Sequence, residues 1–112
     1  MAEQRGAPLQ GHIEYQSRVF KALGHPARLS MVHALCGGER CVCDLRDLVD
    51  LDMSTVSKHL SVLREAGVVL AEKRGNWNYY RLALPCVPGF LHCLGQREDE
   101  QRATDIPLSS QP

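Results

Sequence analysis

The chain is organised around one stretch, Met53-Ser54-Thr55-Val56-Ser57-Lys58-His59-Leu60. Apolar residues recur here at positions i, i+4 and i+7, which predicts an amphipathic helix over about residues 54–66 with Val56, Leu60 and Leu63 buried. The opposite face of this helix then carries short hydroxyls and cations. Such a face suits a polar or charged partner.

A shorter helical pattern precedes this stretch, from about Cys41 to Leu51. Four apolar residues form its predicted buried stripe, namely Val42, Leu45, Leu48 and Val49. A tight break follows, and either Asp52 or Ser54 could cap the next helix. The two helices are therefore expected to be joined by a short turn.

Two runs rich in β-branched, aromatic and aliphatic residues follow, over residues 68–74 and 77–84. Gly75-Asn76 separates them, which predicts a tight β-hairpin. Two more helices are predicted upstream, over residues 12–23 and 26–36. A short last helix is expected after Pro88-Gly89 in the apolar stretch Cys86 to Leu94, and Pro88-Gly89 is expected to break a helix that would run through the whole stretch. The order ααααββα, mostly α with a small β-hairpin (α+β), describes a winged helix-turn-helix.

The patterning predicts one small domain with two flanks. Residues 1–11 are expected to be a flexible N-terminal arm, residues 12–95 the folded domain, and residues 96–112 a mobile C-terminal tail. No apolar run approaches the ~20 residues that span a bilayer, and no signal-peptide pattern begins the chain, so we expect a cytoplasmic protein without a membrane partner.

The charges and thiols are unevenly distributed. Net charge is zero, yet residues 54–95 carry five Lys/Arg against two Asp/Glu, a basic segment of the kind that contacts phosphates. Five cysteines is an odd number, and in a reducing cytosol free thiols or metal ligands are expected rather than a disulfide framework. No nucleophile–base–orienter pattern indicates an enzyme.

Four motifs stand in order within residues 18–84: Lys21-Ala22-Leu23-Gly24-His25-Pro26-Ala27-Arg28-Leu29, Cys41-Val42-Cys43-Asp44-Leu45, Val56-Ser57-Lys58-His59-Leu60 and Leu63-Arg64-Glu65-Ala66-Gly67-Val68-Val69. Together they resemble the ArsR/SmtB family of metal-responsive bacterial repressors. The resemblance implies a homodimer, joined through the first and last helices, that binds double-stranded operator DNA and leaves it when an inducer binds.

The resemblance also implies which residues contact DNA. The residues expected nearest the bases are Ser54, Thr55, Ser57, Lys58 and His59. Those expected nearer phosphates are Ser61 and Arg64, with Lys73, Arg74 and Asn76 at the hairpin tip reaching the neighbouring backbone or minor groove. Short hydroxyls at a helix start suit base edges, and scattered cations suit phosphates.

Cys41 and Cys43 form the predicted inducer site, because thiolates select soft, thiophilic ions. In a regular helix these two side chains would point about 200° apart, so one ion would have to bend the first turn to hold both. A position at a helix start is also expected to favour the thiolate. Trivalent arsenic or antimony needs two or three sulfurs, which makes arsenite or antimonite the expected inducer.

The third ligand is left open. Arsenic-responsive relatives often show Cys-Val-Cys-Asp-Leu-Cys, and Arg46 stands here in place of the third thiol. Cys36, Cys86 or Cys93 could complete the site, from the same or the partner chain. Two alternatives keep the fold but change the signal: a cadmium, lead or zinc sensor, or a thiol-redox or persulfide switch in which Cys41 or Cys43 links to Cys86 or Cys93.

Overall fold

A computed structural model describes the backbone of residues 2–109 and the side chains of residues 9–103. Within these residues five helices and three short strands follow one another. Their bounds are α1 Ala2–Leu23, α2 Pro26–Cys36, β1 Arg40–Cys41, α3 Val42–Val49, α4 Met53–Glu65, β2 Val69–Arg74, β3 Trp77–Leu82 and α5 Val87–Ser109. The helices and the hairpin confirm the predicted winged helix-turn-helix.

The core lies where α2, α3 and α4 meet the sheet. Val56, Leu60 and Leu63 of α4 are completely buried, as the periodicity predicts. Leu45 of α3 and Met31 of α2 lie in the same cluster and are equally inaccessible to solvent. Burying such side chains contributes roughly 1.5–3 kcal/mol each, which fixes α4 by its inner face and leaves its outer face in water.

The turn between α3 and α4 depends on one backbone conformation. Asp50 ends α3 with φ 54° and ψ 47°, in the left-handed region, and its N–H donates to the carbonyl of Arg46. Asp tolerates this region better than most residues because its short polar side chain bonds locally. Asp52 then takes the N-cap position of α4 without a side-chain capping hydrogen bond to the backbone, and Ser54 lies inside the helix.

A third strand extends the predicted hairpin. β1 has two residues and pairs antiparallel with β3, giving the sheet order β1-β3-β2. The partners are Arg40 with Tyr80 and Cys41 with Tyr79. Two residues show no readable periodicity, so the sequence patterns place Cys41 in a helix, whereas the structure places it in an extended segment immediately before α3.

Two details of the predicted helices are wrong. Leu48 is 53% exposed rather than buried, because the last turn of α3 borders an open depression beside His25 and Pro26. Pro88-Gly89 does not break the last helix: α5 begins at Val87, and proline fits a first helical turn, where its missing N–H has no helical partner to lose.

Helices also occupy the segments predicted as flanks. α1 includes residues 2–11, and α5 continues through residues 96–109. A helical backbone does not by itself measure mobility, so the predicted bounds of arm, domain and tail stay predictions.

Candidate DNA-binding surface and thiol site

The outer face of α4 carries the predicted recognition residues. Among the exposed polar side chains of α4 are Ser54, Ser57, Lys58, Ser61 and Arg64. They are presented together because the inner face of the same helix is locked into the core. Two cations and three hydroxyls on one exposed helical face are suited to phosphate oxygens and base edges.

A carboxylate organises the start of this helix. Ser54 Oγ donates to Asp52 Oδ2 at 2.7 Å, and Thr55 Oγ1 donates to Oδ1 of the same group. The hydrogen bonds from Thr55 and then Ser54 lower the pKa of Asp52 below its usual value. Both hydroxyl protons are therefore already used, which leaves the two oxygens as acceptors toward a partner.

The side chain of His59 is directed toward α2 more than toward solvent. Its ring lies 4.4 Å from that of His25, centroid to centroid, and Arg28 Nη1 donates to its Nδ1 at 3.2 Å. Arg28 also donates from Nε to the carbonyl of Ala22 at 2.7 Å, so its guanidinium joins α1, α2 and α4. Burial lowers the pKa of His59, and the nearby His25 and Arg28 lower it further. A base contact by His59 stays a prediction, and the structure gives this residue a packing role.

The hairpin tip presents Lys73 and Asn76 to solvent. Arg74 is exposed too but already has partners: its Nη1 and Nη2 donate to the two carboxylate oxygens of Glu39 at 2.7 and 2.8 Å, and Nη2 also donates to Glu72 at 3.0 Å. Glu72 first and Glu39 second raise the pKa of the guanidinium. A phosphate must therefore compete with two carboxylates for Arg74.

The thiols of Cys41 and Cys43 converge. Their Sγ atoms lie 2.8 Å apart. Cys41 is the N-cap of α3, with φ −71° and ψ 151°, so its side chain does not follow the helical rotation that would separate the pair by about 200°. The expectation that an ion must bend the first turn is therefore wrong.

The same convergence alters the acidity of Cys43. The hydrogen bond with Cys41 is the main cause that raises the pKa of Cys43, and burial and the Coulombic effect of Cys41 add to it. The free thiol is thus stabilised over the thiolate, contrary to the expectation from the helix start alone. Two soft donors that already face one point fit a thiophilic ion.

The third sulfur is not found beside them in one chain. Among the side chains that the structure describes, no group of three or more His, Cys, Asp or Glu could hold an ion. Cys36 packs partly against the core, and burial raises its pKa. Cys86 and Cys93 are exposed, and Cys86 lines an open cavity of about 470 Å³ between α1 and the start of α5.

Apolar side chains on α1 and α5 face solvent. Phe20 is 58% exposed and meets Phe90 edge-on, with ring centroids 6.0 Å apart. Ile13 on α1 and Leu94 on α5 are also exposed. A monomer that leaves these side chains in water has a surface suited to burial against another protein.

A recognition helix with a polar outer face, a preceding helix in the core and a hairpin with a cationic tip define a winged helix-turn-helix DNA-binding protein. Residues 25–70 match the family model described as bacterial regulatory protein, arsR family. Together with the relatives described next, one of them 40% identical and matched over 70% of its length, this shows that the chain belongs to the family, whose members are DNA-binding transcriptional regulators and not enzymes.

Three relatives illustrate the likeness. The arsenical resistance operon repressor of Bacillus subtilis is 40% identical over 73 residues, which are 64% of this chain and 70% of that protein. The cadmium resistance regulatory protein CadC of Listeria innocua is 43% identical over 65 residues, 57% of this chain and 55% of that one. A homodimeric winged helix-turn-helix domain from Mycobacterium bovis, a possible ArsR-family regulator, superposes with TM-score 0.71 at 31% identity and covers 90% of each chain.

These relatives define the function at the level of an ArsR-family transcriptional repressor. Because proteins named for arsenical and for cadmium resistance both match, membership does not select the ion. None of the helices in the described part of the chain is long and apolar enough to cross a membrane.

Sequence reasoning missed three residues of this surface. Arg28 joins three helices through backbone carbonyls and His59, and Glu39 and Tyr79 hold Arg74. Arg28 lies in a quoted motif, which is a usable signal. Glu39 carries none, because its partner lies 35 residues away in the chain.

Proposed function

We propose that this protein is a cytoplasmic, homodimeric repressor that leaves operator DNA when trivalent arsenic or antimony binds Cys41 and Cys43. The observation that carries the proposal is the 2.8 Å separation of the two Sγ atoms at the start of α3. Two sulfurs that each lie about 2.3 Å from one ion are roughly 3.5–3.8 Å apart, so the pair has to open by roughly 1 Å to take up a soft ion. Trivalent arsenic or antimony is satisfied by two or three sulfurs. The arsenical-resistance repressors among the relatives support the same choice.

The dimer is proposed to form through α1 and α5, where Phe20, Phe90 and Leu94 are exposed. The homodimeric relative from Mycobacterium bovis supports it. A dimer would place two copies of α4 on successive half-sites, as winged-helix regulators require for a palindromic operator. In the dimer, the exposed Cys86 and Cys93 of either chain would be candidates for the third sulfur.

The ion would act through α3. This helix packs against α4 and carries Cys43 in its first turn, so a change at the thiols alters the support of the recognition helix. A coupling of about 1–3 kcal/mol, or 5- to 150-fold in operator affinity, is typical of such regulation.

The test titrates the protein onto a fluorescent fragment of its own promoter, with and without arsenite, antimonite, cadmium, lead or zinc. Arsenite and antimonite should weaken binding by the wild type at least fivefold and leave Cys43→Ser bound. Asp44→Ser is the matched control, because it changes the exposed neighbour of Cys43 and keeps both thiols. Equal release of wild type and Cys43→Ser would refute the proposal.

Serine variants of the remaining thiols identify the third ligand. Cys36→Ser, Cys86→Ser and Cys93→Ser are compared for arsenite affinity in the same assay. The variant that loses affinity supplies the third sulfur, and mixing it with wild-type chains shows whether the sulfur comes from the partner. If none of the three variants loses arsenite affinity, arsenic is bound by only two protein sulfurs.

The short Sγ separation also favours a second candidate, a thiol-redox switch in which Cys41 bonds to Cys43. This differs from the link to Cys86 or Cys93 expected from the sequence. A two-electron oxidant such as a peroxide would take two electrons and two protons from the thiols as one S–S bond forms. Under this alternative, oxidant or persulfide releases DNA, reductant restores binding, and metal ions have no effect. Mass spectrometry that finds every thiol still reduced after release would exclude it.

A further inference from the structure

The thiol site and the hairpin lie on one sheet. Cys41 of β1 is paired with Tyr79 of β3, and Tyr79 is paired with Glu72 of β2. Side chains of paired residues share a face of a sheet. Cys41, Tyr79 and Glu72 therefore form a row across the outer face, from the proposed ion site to the hairpin.

Besides the strand pairing of Cys41 with Tyr79, a side-chain ion pair attaches the tip of the hairpin to the residues around Cys41. Glu39, which precedes β1, accepts two hydrogen bonds from Arg74 at 2.7 and 2.8 Å. The guanidinium also lies over the ring of Tyr79, with Cζ 4.9 Å from its centroid. The bidentate geometry fixes the direction as well as the distance between the two groups.

Glu39 and Glu72 both hold Arg74 but are not equivalent. Glu72 lies on β2, two residues before Arg74, so its bond closes within the hairpin. Glu39 lies outside the hairpin and two residues before Cys41, so its bond joins the hairpin to residues 39–43, the thiol segment. It is also the more enclosed carboxylate, with a side chain 30% exposed against 51% for Glu72.

We propose that Glu39 is a positioning residue that anchors the hairpin to the thiol segment and transmits ion binding at Cys41 and Cys43 to Arg74. The transmission rests on the proposed function, whereas the anchoring does not. β1 has only two residues. When ion binding shifts Cys41, Glu39 therefore shifts with it, because the short strand has few other residues whose conformation could change instead. The hairpin then responds together with α4, and DNA is lost from two contacts at once.

The anchoring is tested without ion or DNA. Trp77 is the single tryptophan and lies opposite Arg74 in the hairpin, 51% exposed, so its fluorescence reports on the tip. Time-resolved anisotropy should show a larger fast component for Trp77 in Glu39→Gln than in the wild type. Glu72→Gln is the matched control, since it removes the same charge from the same guanidinium, and it should resemble the wild type. Equal motion in Glu39→Gln and wild type would overturn the anchoring.

The transmission is tested by operator affinity with and without arsenite. The ratio of the two affinities should fall at least fivefold in Glu39→Gln and stay within twofold of the wild type in Glu72→Gln. Arsenite binding, followed by sulfur-to-arsenic charge-transfer absorbance, should be the same in all three proteins. An undiminished ratio in Glu39→Gln overturns the transmission.

The two failures are distinguishable. A wild type that keeps its DNA in arsenite refutes the proposed function, and the transmission falls with it, while the Trp77 measurement still decides the anchoring. If arsenite releases the wild type and the Glu39→Gln variant from DNA equally, only the transmission is refuted. A merely structural loss in Glu39→Gln would weaken DNA binding with and without arsenite by the same factor.

Discussion

The Sγ atom of Cys41, at the N-cap of α3, lies 2.8 Å from the Sγ atom of Cys43 in the first turn of that helix. The contact with Cys41 raises the pKa of Cys43, so an ion that binds as a free cation must displace a thiol proton. Each displaced proton strengthens binding by up to about tenfold per pH unit as the pH rises.

Cadmium affinity is therefore expected to rise between pH 6 and 8, whereas arsenite affinity should change little, because its hydroxides leave as water with the thiol protons. Competition with a chelator measures the cadmium affinity, and charge-transfer absorbance measures the arsenite affinity. Cys43→Ser should reduce the cadmium slope by about one proton. A flat cadmium profile in the wild type would contradict thiol ligation.

His59 predicts a second pH effect. Burial, then His25 and Arg28, lower its pKa in the folded state, so the unfolded chain binds this proton more tightly. The free energy of unfolding should therefore fall as pH drops below the unfolded value of about 6.5, until the folded value is passed. Urea midpoints at pH 5, 6 and 7 should vary less in His59→Gln. His33→Gln, at an exposed position, should keep the wild-type slope.

Two adjacent residues of α4 separate the core from the surface. Leu63 is completely buried and Val62 is exposed. Leu63→Ala should lower the free energy of unfolding by roughly 2–5 kcal/mol, because a cavity remains, and Val62→Ala by about 0.5 kcal/mol or less. Urea denaturation of both variants is the measurement, and comparable losses would mean that α4 packs by another face.

Phe20 tests the proposed dimer. Phe20→Glu places a charge beside Phe90, in the middle of the exposed apolar surface of α1 and α5. Sedimentation should give about twice the chain mass of 12.5 kDa for the wild type and the single mass for the variant. Leu70→Glu, which charges an exposed leucine of β2, should stay dimeric. A dimeric Phe20→Glu protein would place the interface elsewhere.

Arg64 tests the DNA-facing side of α4, because it is the exposed cation of this helix that is expected nearer phosphate. Removing one phosphate contact should lower the slope of log affinity against log salt by about one, without a change in sequence preference. Arg64→Ala is compared with Arg102→Ala, whose guanidinium pairs with Glu98 on α5 at 2.7 Å. The Arg102 variant should keep the wild-type slope, and a loss of slope there instead would move the DNA surface to α5.

Local patterns were sufficient for the elements that carry the fold. The inner face of α4, with Val56, Leu60 and Leu63, follows from the helical period because each of these residues is buried by the same rotation. The hairpin follows from Gly75-Asn76, since Gly75 takes a positive φ of 63° that a tight turn requires. Helical periodicity was wrong at Leu48, where the last turn of α3 borders an open depression beside His25 and Pro26.

The sequence by itself determined the winged helix-turn-helix, the family and the two thiols, because each depends on residues close together in the chain. Only the tertiary structure decided that the thiols converge, since Cys41 is drawn out of the helix by pairing with Tyr79, almost forty residues away. It likewise decided that Arg74 is held by Glu39. Contacts of this kind depend on the pairing of β1 with β3. A two-residue strand is too short to show a periodic pattern, so the sequence does not predict that pairing.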